Sequence, residues 1–183
     1  MEKYKNIHQD LIDRCRFKDS DAQFQIYKLY YKSLYNTSFR IVGNQMEAED
    51  IMQDSFLAAF EKLESYKGDV SFGAWLKRIV INRSLDMLKT KVHRTTFEPV
   101  DDRLNELPDD EADDTSVGVQ ASVEQIRNAL TQLPDNYRIV FSLYLLEGYD
   151  HDEIAQILSI TSSTSRSQLT RAKKKVLELI KGV

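Results

Sequence analysis

The chain has 183 residues, of which 42% are hydrophobic, and it carries a formal net charge of −4. This composition excludes a chain that is disordered throughout, and the length permits one domain or two small ones. No basic segment precedes an apolar run of signal-peptide length, and no apolar stretch approaches the roughly 20 residues that cross a bilayer. We therefore expect a soluble, cytoplasmic protein that does not insert into a membrane.

The histidines and the single cysteine argue against several kinds of site. His8, His93 and His151 are far apart in the sequence, and none has a histidine or cysteine partner at metal-ligand spacing. Cys15 cannot form an internal disulfide and lies in a segment of helical apolar spacing, which favours a buried thiol. The sequence also lacks a phosphate-binding glycine loop and a nucleophile motif. We expect no metal, no cofactor and no catalytic residue.

Apolar residues recur at helical spacing in the first part of the chain, over 7–17, 22–42 and 45–63. Helix starts are indicated at Ser20 and Asn44, where a capping residue precedes a Gln or Glu by three positions. No segment alternates for long with the period of a strand. Together with one further helix, these segments predict a four-helix N-terminal domain.

The helix predicted over 45–63 has two different faces. One is apolar and should face the core. The other places Leu57 among polar and acidic residues, namely Asp50, Gln53 and Asp54. This second face is either an ordinary solvated surface or a docking site, and a docked partner would be basic with an apolar notch.

Basic and aromatic residues cluster in the next predicted helix, over about 70–89, and in the turn before it. The segment 66–94 has seven basic residues and two acidic ones, a net charge of +5. This combination suits single-stranded nucleic acid, because bases stack on aromatic rings and phosphates attract lysine and arginine. The alternative is that Phe72 and Trp75 are simply core residues. The candidate nucleic-acid contacts are Tyr66, Lys67, Trp75, Arg78, Asn82 and Lys89.

An acidic segment separates the two ends of the chain. Residues 98–118 include nine acidic residues, one arginine and two of the three prolines, without a helical period. This composition is typical of a linker; an acidic loop within one compact domain is the alternative. We predict an all-α protein in which two small helical domains, 1–94 and 122–183, are joined by a flexible acidic linker at 95–121.

The C-terminal part of the chain contains a predicted helix-turn-helix. A short helix begins after Asp150, a tight turn follows, and Leu169, Ala172 and Val176 form the apolar stripe of a second helix. The segment 161–183 has a net charge of +5. Its second helix either enters a major groove or only packs in a bundle. The small polar and basic residues on its outer face are Ser163, Ser167, Thr170, Arg171 and Lys174.

Over nearly its full length, the chain resembles bacterial sigma factors of the small, two-domain extracytoplasmic-function type. The stretch "EAEDIMQDSFLAAF" resembles the segment of that family that binds the clamp helices of RNA polymerase. The stretch "FGAWLKRIVINRSLDMLK" is similar to the segment that recognises and melts the −10 promoter element. The stretch "LPDNYRIVFSLYLLEGYDHDEIAQIL" and the helix after it are similar to the domain that binds the −35 element.

The resemblance implies a sigma factor that binds core RNA polymerase and directs promoter recognition, −10 melting and transcription initiation, without covalent chemistry of its own. The residues implied to contact the polymerase are Asp50, Gln53, Asp54 and Leu57. The turn 66–68 would receive a flipped −10 base together with Asn82, and Thr164 and Arg166 would join the outer face of the last helix on the duplex −35 element. An anti-sigma factor is a further expected partner.

Two positions depart from the pattern of this family. Ser159 stands in the turn where helix-turn-helix units often have glycine, and Ser165 stands at a position that is usually apolar. Two other functions also fit the residues. A stand-alone helix-turn-helix transcriptional regulator would bind duplex DNA without polymerase, whereas an all-helical adaptor would use neither basic segment for nucleic acid.

Overall fold

The computed structural model describes residues 6–94 and 122–182. Within these residues all regular structure is helical, as predicted. The predicted linker at 95–121 lies outside the described residues. The α-helices of the described part are α1 (Gln9–Arg16), α2 (Ser20–Val42), α3 (Gln45–Glu61), α4 (Phe72–Arg94), α5 (Val123–Thr131), α6 (Asp135–Phe141), α7 (His151–Leu158) and α8 (Ser162–Lys181). None of these helices combines the length and hydropathy that a membrane span requires.

The starts of α2 and α3 are fixed by side-chain caps. The carboxylate of Asp19 accepts hydrogen bonds from the backbone amides of Asp21 and Ala22 at 3.0 and 3.2 Å, so the cap is Asp19 and the prediction of Ser20 was wrong by one residue. Asp19 stands one position before Ser20, and its carboxylate binds two backbone amides of the first turn, which have no partner within the helix. Asn44 caps α3 as predicted, by accepting from the amide of Glu47 at 3.1 Å.

The N-terminal domain is built on α2, which packs against α4, α3 and α1. Its core is apolar and well covered. The largest fully buried side chains are Ile12, Ile26, Leu34, Ile41, Met52, Leu63, Phe72, Leu76, Val80 and Ile81. One polar pair lies among them: the hydroxyls of Ser38 and Ser84 are 3.0 Å apart, and Ser84 Oγ donates to the carbonyl of Val80 at 2.8 Å. The pair is tolerated because its polar atoms have partners.

The C-terminal domain contains α5 to α8, with α8 packed across α6, α7 and α5. Reciprocal capping boxes begin α5 at Ser122 and α7 at Asp150, the second as predicted. After α6 the chain makes one π-helical turn, Ser142–Leu146, closed by a hydrogen bond of 3.0 Å from the amide of Glu147 to the carbonyl of Ser142. This turn carries one residue more than an α-helical turn would.

The helix-turn-helix is formed by α7 and α8. Between them, Ser159 adopts a left-handed conformation, with φ +56° and ψ +43°. This conformation explains why glycine suits the position, since an L-residue with a side chain pays about 1–2 kcal/mol there. Thr161 then caps α8 by accepting from the amide of Thr164 at 3.0 Å.

The two domains contact each other through α6 and α2. Arg138 is only 5% exposed, and its guanidinium donates to the carbonyl of Ile41 from Nε and Nη2, at 3.3 and 3.1 Å. Gly43, at the end of α2, lies against the same guanidinium. Its φ is +70°, and a Cβ atom at this position would lie 3.1 Å from Arg138 Cζ. The glycine therefore satisfies two requirements, a left-handed backbone and a close approach by the other domain.

Candidate polymerase and nucleic-acid surfaces

The outer face of α3 presents the four residues predicted to contact polymerase. Asp50, Gln53 and Asp54 are exposed, and Leu57 is 62% exposed. Asp54 also lies 3.7 Å from the guanidinium of Arg83 on α4, a solvent-exposed pair that adds little stability. Helical spacing thus brings an apolar side chain and two carboxylates onto one accessible surface.

An open groove of about 770 Å³ runs between α3 and α4. Asp54 lines one side and Asn82 the other. The apolar floor of the groove is formed by Ile51, Ala58, Ile79 and Met87. The surface predicted for polymerase and the surface predicted for melted DNA therefore meet along one groove.

Tyr66 is buried, contrary to its expected role as a stacking surface. The residue is 4% exposed, and its ring lies 5.4 Å from that of Phe72 and 5.3 Å from that of Trp75. Its hydroxyl donates to the carbonyl of Val70 at 2.7 Å and accepts from Asn6 Nδ2 at 2.8 Å. Asn6 Oδ1 in turn accepts from the amide of Phe72 at 2.8 Å. Tyr66 thus supports the turn from inside the domain, and a base could stack on it only if these contacts broke.

The other residues predicted to contact melted DNA are accessible. Lys67, Arg78, Asn82 and Lys89 are exposed, and Trp75 is half-buried. Phe72 is 1% exposed, so the core interpretation is correct for that ring. The outer face of α4 and the turn before it therefore offer three cations and an amide beside one half-buried indole.

The register of α8 agrees with the sequence pattern. Leu169, Ala172 and Val176 are buried. The opposite side carries exposed Ser163, Arg166, Ser167, Thr170 and Lys174, together with half-buried Thr164 and Arg171. The hydroxyls of Ser167 and Thr170 bond to carbonyls of their own helix, at 3.0 and 3.2 Å. They leave a smooth surface of short side chains with longer cations among them.

Ser165 has a specific partner that the sequence did not indicate. The residue is fully buried, and its hydroxyl lies 2.9 Å from Nδ1 of His151 at the start of α7. The His151 ring stacks on Tyr144, with 4.4 Å between ring centroids. Burial lowers the pKa of His151, and the nearby cation of Arg166 lowers it further. The polar residue at this usually apolar position therefore joins the two helices of the helix-turn-helix.

Comparisons with known proteins match both domains of the chain. The family model for sigma-70 region 2 matches residues 26–94, and the model for sigma-70, region 4 matches residues 123–176. The chain is 26% identical over 178 residues to RNA polymerase sigma-H factor of Pseudomonas aeruginosa, with 92% of this chain and 91% of that protein covered. It is 28% identical over 175 residues to the ECF RNA polymerase sigma factor SigW of Bacillus subtilis, with 89% and 91% covered.

The fold is also known from a solved structure. The sigma factor RpoE of Bartonella quintana, solved in complex with the anti-sigma factor NepR, superposes with a TM-score of 0.58 at 21% identity, covering 86% of this chain and 95% of that one. This likeness concerns the helical fold alone. Region 2 matches the helices that carry the α3 and α4 surfaces, and region 4 matches the helix-turn-helix, in the order that the sequence predicts. The chain therefore belongs to the sigma-70 family of transcription initiation factors, as a sigma factor of the extracytoplasmic-function type.

Proposed function

We propose that this sigma factor binds core RNA polymerase through α3, holds the melted −10 element on α4 and reads the duplex −35 element with α8. The observation that carries the proposal is the accessibility of three chemically different surfaces on three helices of one chain. A stand-alone helix-turn-helix regulator would need only the last of them. The exposed Leu57 and the cations of α4 would then have no use.

The α3 surface fits a basic partner with an apolar recess. Leu57 would be buried on binding, and burial of such a side chain contributes about 1.5–3 kcal/mol. Asp50 and Asp54 would pair with basic residues of the polymerase, while Gln53 would supply a neutral hydrogen-bonding group. The acidic groups guide the encounter and fix its register more than they add affinity.

The α4 surface fits single-stranded DNA. Lys67, Arg78 and Lys89 would contact phosphates, the accessible part of the Trp75 ring would contact a base, and Asn82 would hydrogen-bond a base removed from the duplex. Removing a base from the stack costs a few kcal/mol, which these contacts offset. Tyr66 would act indirectly, by holding the turn 66–68 in place.

The α8 surface fits a major groove. Its serines and threonines permit close approach, and Arg166, Arg171 and Lys174 can reach base edges or phosphates. Ser165 would hold α8 at a fixed angle to α7 through His151. Base contacts would come from the N-terminal half of α8, as in other helix-turn-helix proteins.

The chain would act by binding alone, without a cofactor and without covalent chemistry, and in the cytoplasm where RNA polymerase works. An anti-sigma factor is proposed as a further partner, as the solved relative has one. Its binding would cover one or more of the three surfaces.

Run-off transcription with core polymerase tests the proposal. Adding the purified chain should stimulate transcription from DNA that is recovered with the polymerase complex, and no stimulation from any such DNA would overturn it. Asp54→Arg should weaken polymerase binding, because it reverses a charge on the α3 surface. Asp10→Arg is the matched control, since Asp10 is an exposed carboxylate of the same domain but lies on α1. Equal loss of affinity in both variants would contradict the assignment of the surface.

A further inference from the structure

A carboxylate of the C-terminal domain is buried in the N-terminal domain. The Glu147 side chain is 2% exposed and forms ion pairs with Arg40 of α2 and, at 2.8 Å, with Lys77 of α4. The hydroxyl of Thr37 donates to Glu147 Oε1 at 2.9 Å. We call these four residues the Glu147 cluster. All partners of the carboxylate in the cluster come from the other domain.

The three partners of Glu147 form an anion-binding site. Burial alone would raise the pKa of Glu147, but hydrogen bonds from Lys77 and Arg40 outweigh it and keep the pKa below its usual value. A charge this deeply buried is tolerated only when it is paired and hydrogen-bonded. Two cations and a hydroxyl from two helices supply that pairing. Without Glu147, the same groups would form a basic recess with an excess of positive charge.

The recess lies beside the surface proposed for the −10 strand. Lys77 and Arg78 of α4 both lie near the hydroxyl of Tyr149, so the recess borders the phosphate contact assigned to Arg78. Glu147 and Tyr149 of the C-terminal domain line one side of an open pocket of about 380 Å³, and residues of α2 and α4, among them Gly73 and Ala74, line the rest. A DNA strand that reached Lys77 would therefore meet these two residues of the C-terminal domain.

The direct contact between the two domains is incompatible with the distance between the two promoter elements. In the structure Arg138 of one domain touches Ile41 of the other, at 3.1 Å. The two promoter elements lie about two helical turns of DNA apart, or about 70 Å. The domains must therefore separate before both can contact one promoter, and separation withdraws Glu147 from its cations.

We propose that Arg40, Lys77 and Thr37 form a phosphate-binding site for promoter DNA, which Glu147 occupies when DNA is absent. This inference rests on the proposed function. The carboxylate and a DNA phosphate compete for one pair of cations, since arginine and lysine bind either anion through charge-assisted hydrogen bonds. Apparent affinity for DNA is then reduced by the fraction of molecules in which the site is closed.

Glu147→Gln in the full-length chain tests the competition. The probe is a short fluorescein-labelled single-stranded DNA of mixed sequence, and its anisotropy is measured over a range of salt concentrations. We expect Glu147→Gln to bind about tenfold more tightly than the wild type, because the closed fraction falls. The matched control is Glu124→Gln, which removes the same charge from an exposed position of the same domain. A gain of equal size in both variants would overturn the proposal.

A second substitution tests whether the released site holds phosphate. Lys77→Ala combined with Glu147→Gln should abolish the gain and reduce the slope of log affinity against log salt by about one. A double variant that keeps both the gain and the slope would overturn the phosphate assignment. Small-angle X-ray scattering and circular dichroism complete the test: Glu147→Gln should enlarge the radius of gyration at unchanged helix content. An unchanged radius would contradict closure by Glu147.

Run-off transcription separates this inference from the proposed function. If neither the wild type nor Glu147→Gln stimulates core polymerase, the proposed function is wrong. If both stimulate it but bind the DNA probe equally well, the proposed function stands and the competition by Glu147 is wrong.

Discussion

Tyr66→Phe is the most direct test of the turn that precedes α4. The substitution removes one oxygen atom and leaves the ring between Phe72 and Trp75. It breaks two hydrogen bonds, one to the carbonyl of Val70 at 2.7 Å and one from Asn6 Nδ2 at 2.8 Å. Because Tyr66 is 4% exposed, water cannot easily replace the lost hydroxyl.

The expected loss of stability follows from these two contacts. One intramolecular hydrogen bond contributes about 1 kcal/mol net, whereas a buried partner left without one costs about 1–3 kcal/mol. Val70 is 50% exposed and its hydrogen bond from Tyr66 is only partly buried, so water can partly replace the hydroxyl as a partner of this carbonyl. We therefore expect the free energy of unfolding of the N-terminal domain to fall by about 2 kcal/mol.

Urea unfolding followed by tryptophan fluorescence measures this loss. Trp75 is the only tryptophan and lies 5.3 Å from the Tyr66 ring, so its emission reports the N-terminal domain. Tyr35→Phe is the matched control, because the Tyr35 hydroxyl makes no hydrogen bond with the described residues. A loss below about 0.5 kcal/mol, or one equal to that of the control, would refute the reasoning, provided that the m-value is unchanged.

Three further predictions concern single residues. Ser159→Gly should stabilise the C-terminal domain by about 0.5–1 kcal/mol in thermal unfolding, because Ser159 has φ +56°; destabilisation would contradict this. Cys15, at 3% exposure and with its pKa raised to about 11 by burial, should react with thiol reagents only after unfolding; fast labelling of the native chain would argue against the packing. Since the pKa of folded His151 lies below its usual value, the stability that neutral His151 confers should be present above about pH 6.5 and be lost as the pH falls below it. His151→Asn, which retains a partner for the Ser165 hydroxyl, should therefore show a weaker loss of thermal stability on acidification than the wild type, and an equal loss would rule out His151 as the source.

Features that depend on neighbours within one helix could be predicted from the sequence. The stripe of Leu169, Ala172 and Val176 fixed the orientation of α8, because residues three or four positions apart share a helix face. For the same reason, the sequence predicted that Leu57 and the polar residues around it lie on the outer face of α3. Even the burial of Ser165 followed from its position in the stripe.

Features that depend on distant partners could not be predicted. Tyr66 was interpreted as a stacking surface because basic residues surround it in the sequence, but Asn6, 60 positions away, holds its hydroxyl inside the domain. The partner of Ser165 is a histidine on the preceding helix. Glu147 is one of 29 acidic residues, and no local pattern distinguishes it from a solvated glutamate. Its cations lie more than 65 positions earlier in the chain.

The π-helical turn at Ser142–Leu146 makes the Glu147 cluster sensitive to chain length. Deleting one residue from this turn would permit a regular α-helix, but it would rotate Glu147 about the helix axis by about 100° relative to α6. The carboxylate would then point away from Arg40 and Lys77, although all the charged groups were still present. A homologue could thus lose the contact without any substitution in the cluster. When sequences of relatives are aligned, the number of residues between Phe141 and Glu147 is therefore as informative about domain closure as the identity of the charged residues.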